Sequence, residues 1–222
     1  MSASAAAISD AVLDPPLITD LNVALDEAVV QGVRIDRPAG QVRVLLQVLT
    51  LPAEGPADPD PRRAVILTGV SQSRVLLRRD RTGAIPFGPP IPLADQQALD
   101  DFFASLTFAD ATHGGRMLDD PSPTDDWPAT PSLVVPFPAQ PADHYLHWFT
   151  ECGREEPGGT IGYHLEGLIQ FDTLAIERAD STPVGIRDFA AAGRRWWIAR
   201  HNNDPRVSAR AQRQHPRPAW HG

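Results

Sequence analysis

Proline sets the outer limits of what this chain can fold into: 23 of its 222 residues are proline, about twice the roughly 5% of average usage. Each proline fixes its own φ, removes a backbone donor and steers the residue before it away from the helical region. Long helices and long central strands have few places to form. The chain reads instead as short apolar segments separated by turns and loops. Its apolar runs, such as Val44 to Leu46 and Trp196 to Ile198, fall far short of the roughly 20 residues that cross a bilayer, so no membrane span is expected.

Within those segments the apolar period is mostly two. Residues 28–36 and 41–51 are rich in Val, Ile and Leu, with Pro38, Ala39 and Gly40 between them, which predicts a β-hairpin. In the second arm Val42, Val44, Leu46 and Val48 share one face, predicting that this face is core. After a loop at 52–61 with four prolines and three acids, residues 63–70 and 72–79 read as further strand, with Gly69 as a bulge or bend. Residues 133–137, 144–152 and 161–179 form a second strand group, with a turn at 155–159.

Two segments change to helical spacing: 93–106, through Leu93, Gln96, Leu99, Phe103 and Leu106, and 186–201, through Ile186, Phe189, Gly193, Trp196 and Trp197. The expected fold is α+β, a mostly antiparallel, curled sheet of six to eight strands with two packed helices and long proline-rich loops. The expected organisation is a disordered arm at 1–16, one domain at 17–203 with a half-boundary near 82–92, and a disordered basic tail at 204–222. Residues 108–131, with five Asp and four Pro, stay unassigned.

All 20 basic residues are arginine. A Walker A loop, a Schiff-base lysine, a kinase strand lysine and a Ser-Lys dyad all need the missing lysine. The one cysteine, Cys152, excludes an internal disulfide and any zinc site with two thiolates from one chain. The N-terminal 14 residues lack positive charge and a sustained apolar run, so a cytoplasmic location is expected. The net charge is −8, and the Arg surplus collects after residue 186. An acidic body disfavours nucleic acid, leaving Arg206, Arg210, Arg213 and Arg217 of the tail as its one basic contact surface.

Several side-chain groups carry candidate chemistry. His144 and His147, with Glu151, Cys152 and His164 downstream, are the nearest approach to metal-ligand spacing, but on a strand an odd spacing sends the two histidines to opposite faces. His144, His147, Glu166 and Asp172 are the candidates for acid–base work in a pocket between helix and sheet. Ser71 follows Gly69 as in a nucleophile elbow, without the last glycine and with strand rather than helix after it. Asp119, Asp120, Asp125 and Asp126 are paired acids in the unassigned region, suited to a basic partner or simply solvated. Arg194, Arg195, Trp196 and Trp197 offer a basic and aromatic surface, yet helical phase turns the tryptophans inward.

The run Gln31-Gly32-Val33-Arg34-Ile35-Asp36, then 41–51, then Ala64-Val65-Ile66-Leu67-Thr68-Gly69-Val70 resembles small β-rich immunity proteins encoded beside bacterial polymorphic toxins. The resemblance covers the first third of the chain and rests on a strand, strand, polar loop, strand pattern; it implies an acidic, cofactor-free protein that masks a toxin. The leading expectation is a non-enzymatic protein-binding module that needs no cofactor and takes a protein partner, with a small-molecule-binding or hydrolytic domain as the alternative.

Overall fold

The computed structural model describes residues 12–80, 87–109, 115–118 and 124–207. Among these residues, two antiparallel sheets share one apolar core with three helices. The first sheet has the order β1 (Val29–Asp36), β2 (Gln41–Gln47), β3 (Arg62–Thr68), β11 (Thr173–Arg178), β12 (Pro183–Val184). The second runs β5 (Phe87–Pro90), β4 (Gln72–Asp80), β10 (Gly159–Phe171), β9 (His144–Glu156), β6 (Phe108–Ala109); β7 (Gly115–Leu118) also pairs with β9, and β8 (Leu133–Pro136) with β4. The α+β, antiparallel expectation holds. The strand number exceeds the six to eight expected, because short pieces such as β6, β7 and β12 carry too little sequence pattern to be seen.

The two sheets are one ladder bent at a corner. β3 runs into β4 and β10 into β11, with Thr68 opposite Thr173 on one side of the bend and Gln72 opposite Gln170 on the other. Three residues on one strand thus face two on its neighbour, which makes a β-bulge and turns the sheet. Hydrogen bonding continues across it: Asp172 N–H donates to Thr68 O at 3.0 Å and Ser71 N–H to Gln170 O at 3.1 Å. Gly69 has φ +64°, and a Cβ there would lie 2.3 Å from Asp172 Oδ2, so both conformation and space call for glycine.

The helices begin where capping chemistry places them. α1 (Pro15–Leu25) starts at Asp14, whose carboxylate accepts from Leu17 N–H at 2.8 Å, with Pro15 in the first turn. α2 (Gln96–Ser105) starts at Asp95, which accepts from Ala98 N–H at 3.0 Å. α3 (Ile186–His201) has Asp188 in its first turn and Arg200 and His201 in its last, which suits the helix dipole. The expected two helices are α2 and α3. The third, α1, begins inside the segment read as an arm: Asp14-Pro15-Pro16 starts a helix, and Leu17, Leu21, Ala24 and Leu25 bury one stripe of it. At the other end Pro205–Val207 forms a 3-10 turn with Val207 buried. Among the described residues no helix is long and apolar enough to cross a membrane.

α1 and α3 cross at Gly193, where an added Cβ would lie 2.4 Å from the Ala24 Cα. Trp196 is buried in a small second cluster with Leu51, Ala199 and Val207. Trp197 is half-buried and donates its indole N–H to Val23 O at 3.0 Å, tying α3 to the last turn of α1. Arg194 pairs with Asp20 on the exposed side.

Gly193→Ala separates two opposed effects. Helix propensity alone favours alanine by about 1 kcal/mol, whereas the overpacked crossing costs about 1–3 kcal/mol. Urea unfolding should show a net loss of stability; a gain would mean the helices do not approach this closely.

Candidate functional site

Side chains on β10 alternate across the sheet. Tyr163, Leu165, Ile169 and Phe171 enter the core, and His164, Glu166 and Leu168 take the other face. On β9, Leu146, Trp148 and Cys152 enter the core while His147 and Phe149 face outward; on β4, Val75 and Leu77 enter it while Arg78 faces outward. Glu166 lies opposite Leu76 of β4 and Phe149 of β9. Arg78 and His147 are therefore its diagonal neighbours, and His164 is two residues away on its own strand. Diagonal positions on a sheet are within reach of long side chains.

These groups converge on one buried carboxylate. Glu166 is 6% exposed. Arg78 Nη2 donates to its Oε1 at 2.7 Å, His147 Nε2 stands 3.3 Å from Oε2, and His164 Nε2 approaches Oε1 to 3.6 Å. Burial by itself raises the carboxyl pKa. Hydrogen bonding to His147 and His164 and the nearby positive charge, Arg78 included, outweigh it and bring the group from the ordinary 4.5 down to about 2. An ionised carboxylate only accepts, so His147 Nε2 must carry the proton between them.

Aromatic rings hold these partners of Glu166 in place. The His164 ring lies 4.7 Å from that of Phe87, the Arg78 guanidinium sits 4.4 Å over the same Phe87, and His147 stacks on Phe149 at 5.2 Å. Further along the face the Arg74 guanidinium lies 5.0 Å over Trp127. Two buried atoms of the cluster, Arg78 Nε and His164 Nδ1, have no hydrogen-bond partner among the described residues.

Beside the cluster, acids crowd together. Asp80 folds over Gly162, where a Cβ would be 2.5 Å from its Oδ2. Its carboxyl is raised by burial and by the negative charge of Glu151, against a smaller opposing effect from His164. Glu151, paired across the ladder with His164, is exposed.

The residues singled out by sequence fall in different places. His147 and Glu166 meet in the cluster. His144 lies on the opposite face of β9, with its ring 5.8 Å from that of Phe171, and Asp172 is exposed at the corner beside Gly69. Among the described residues no group of three His, Cys, Asp or Glu side chains could hold a metal ion. Asp125 and Asp126 are exposed next to Trp127; Asp119 and Asp120 lie outside the described residues, as do Arg210, Arg213 and Arg217. Arg206 turns back onto Asp204 at 2.8 Å. Ser71 sits in the bulge and leads into β4, so no nucleophile elbow forms, and Cys152 is buried with its thiol directed at Tyr163 O, 3.6 Å away. Sequence reasoning missed Arg78, Asp80 and the convergence of His164, whose only signal was their outward phase on strands of unknown register.

Because the folded pKa of Glu166 lies below its unfolded value, its ionisation stabilises the fold above about pH 4.5 and that contribution is lost as pH falls through about 2. Between those limits the wild type should lose about 3 kcal/mol more than Glu166→Gln. Urea unfolding of both proteins at pH 5 and at pH 2 to 3 reads the difference; parallel pH curves would show that the carboxylate is not held this way. Compared with known protein families, curated proteins and solved structures, the chain matches none.

Proposed function

We propose that this chain is a non-enzymatic protein-binding module, immunity-like in role, which recognises a basic protein partner with the outward face of its second sheet. The observation that carries the reading is the juxtaposition of Asp80 and Glu151: after burial, the negative charge of Glu151 is what raises the Asp80 carboxyl above its ordinary range. A guanidinium or ammonium group from a partner would remove that repulsion and gain a charge-assisted hydrogen bond. The surrounding surface suits an interface. Phe87, Phe149 and Trp127 are half-buried aromatic residues already stacked against His or Arg, so little side-chain freedom remains to be lost on association. Exposed Asp125 and Asp126 extend the acidic rim. The likeness of residues 31–70 to toxin-masking proteins points the same way, and that stretch supplies β2, β3 and most of β1 in the supporting sheet.

A second reading has one observation in its favour. A cavity of about 330 Å³ lies between α2 and the second sheet, walled by Ile91, Leu93, Ala98, Phe102 and Tyr163, with Arg154 beside it. It would take a small apolar molecule. His147 and Glu166 are on the other face of the sheet, so acid–base chemistry in that cavity would have to use other groups.

Tagged protein captured from its own host should bring down a basic protein in stoichiometric amount, released by moderate salt. Glu151→Arg combined with Asp80→Arg should weaken capture by about tenfold or more while leaving the circular dichroism spectrum unchanged. A partner held equally well by the double variant, or one insensitive to salt, would sink the assignment.

A further inference from the structure

The loop between β2 and β3 is held as an arch. The buried guanidinium of Arg63 donates from Nη1 to the carbonyls of Asp60 at 2.8 Å and Arg62 at 2.7 Å, and from Nη2 to Asp58 Oδ2 at 2.7 Å. Prolines at 52, 56 and 59 stiffen the arch further. Between it and α3 lies a cavity of about 420 Å³, whose apolar wall is formed by those prolines with Val184, Phe189 and Ala192. That volume falls in the lower part of the range for small-molecule sites.

Two guanidinium groups line the same cavity with donors to spare. Arg178 is ion-paired to Asp58 through Nη1 alone, and its side chain is 46% exposed. Arg195 gives Nε to Leu51 O at 2.9 Å, and among the described residues its terminal nitrogens have no partner. Of the two neighbouring carboxylates, Asp58 is already engaged. Asp58 accepts from Arg63 and Arg178 on one oxygen and from Asp60 N–H at 3.1 Å on the other, and its carboxyl is held below the ordinary range: burial opposes this, but the Asp60 amide and the two arginines prevail. Asp188 folds back over Gly185, where a Cβ would be 2.7 Å from its Oδ2. Arg63, Arg178 and Arg195 against Asp58 and Asp188 leave an excess of one positive charge at this cavity, in a chain whose net charge is −8.

We propose that the cavity binds a small amphipathic carboxylate, an acid with one aromatic or short aliphatic body that lies against the prolines and Phe189 while its carboxylate takes the free edges of Arg178 and Arg195. A planar carboxylate matches a guanidinium fork in two parallel hydrogen bonds, and a single negative charge balances the excess. The site lies on the first sheet and α3, and is independent of the protein-binding face on the second sheet.

The probes are phenylacetate and 4-phenylbutyrate, with phenylacetamide as the neutral counterpart, titrated into the full chain and followed by amide chemical shifts. The acids should move the resonances of the 52–63 loop, Arg178 and the first half of α3, and bind about tenfold or more tightly than the amide. Arg178→Gln should weaken the acids to the level of the amide. Because that change also removes a contact of the arch, Ala192→Phe provides a second variant: it fills the cavity, leaves both guanidinium groups in place, and should abolish binding of acid and amide alike. Equal binding of acid and amide, shifts confined to other parts of the molecule, no shifts at millimolar acid, or acid binding unchanged by either variant would each overturn the proposal.

Discussion

The bend at Gly69 and Asp172 is the constraint on which the rest of the molecule depends. Two long strands turn together there, and the backbone bonds from Asp172 to Thr68 and from Ser71 to Gln170 keep the ladder intact through the turn. The halves cannot slide independently, because a one-residue slip would send every core side chain on that strand to the opposite face. The bend lets Val44 and Val65 of the first sheet share one cluster with Leu77, Leu165 and Ile169 of the second. It also leaves the second sheet with a face directed away from the core, and that face carries Glu166.

A carboxylate buried on such a face is costly to desolvate, and the arrangement around Glu166 offsets the cost with several partners rather than one. Arg78, His147 and His164 come from three adjacent strands, so the cluster reports on strand register as well as on charge. Phe87 shields Arg78 and His164 from water on one side, and Phe149 shields His147, which strengthens their interaction with the carboxylate. Replacing one partner leaves a buried charge incompletely matched, a larger penalty than the net value of the pair. The cluster is thus a rigid support, and the crowded acids Asp80 and Glu151 stand at its edge, where charge has not been neutralised.

Much of this scaffold was legible in the chain. Alternating Val42, Val44 and Leu46 marked β2 and its core face; Ile186, Phe189, Gly193 and Trp196 marked α3 to the residue. α1 was hidden because Pro15 and Pro16 signal both a break and a helix start, and only the Asp14 side chain on Leu17 N–H decides between them. The strands of two to four residues were hidden because so short a segment has no measurable period. For the site, outward phase placed His147 and Glu166 but not together: their meeting depends on a hairpin register set by a turn at Pro157 and Gly158, and the part played by Arg78 depends on the further pairing of β4 with β10. Sequence spacing reaches along a strand, whereas this site is built across three.

The helices bear on how the proposed module would engage another protein. An unpaired strand edge invites another strand, and side-chain amides occupy two such positions here. Gln96 of α2 accepts from Ile35 N–H at 2.9 Å and donates to Val33 O at 2.8 Å, filling on β1 the place of a neighbouring strand. Asn22 of α1 treats β7 in the same way, accepting from Met117 N–H at 2.6 Å and donating to Met117 O at 3.1 Å. Each amide matches the donor and acceptor spacing of a peptide group, so it meets the hydrogen-bonding capacity of the edge without extending the sheet. With these positions satisfied internally, a partner that added a strand there would have to displace a helix side chain first. Contact through the charged outward face carries no such cost, which favours recognition by side chains over recognition by backbone.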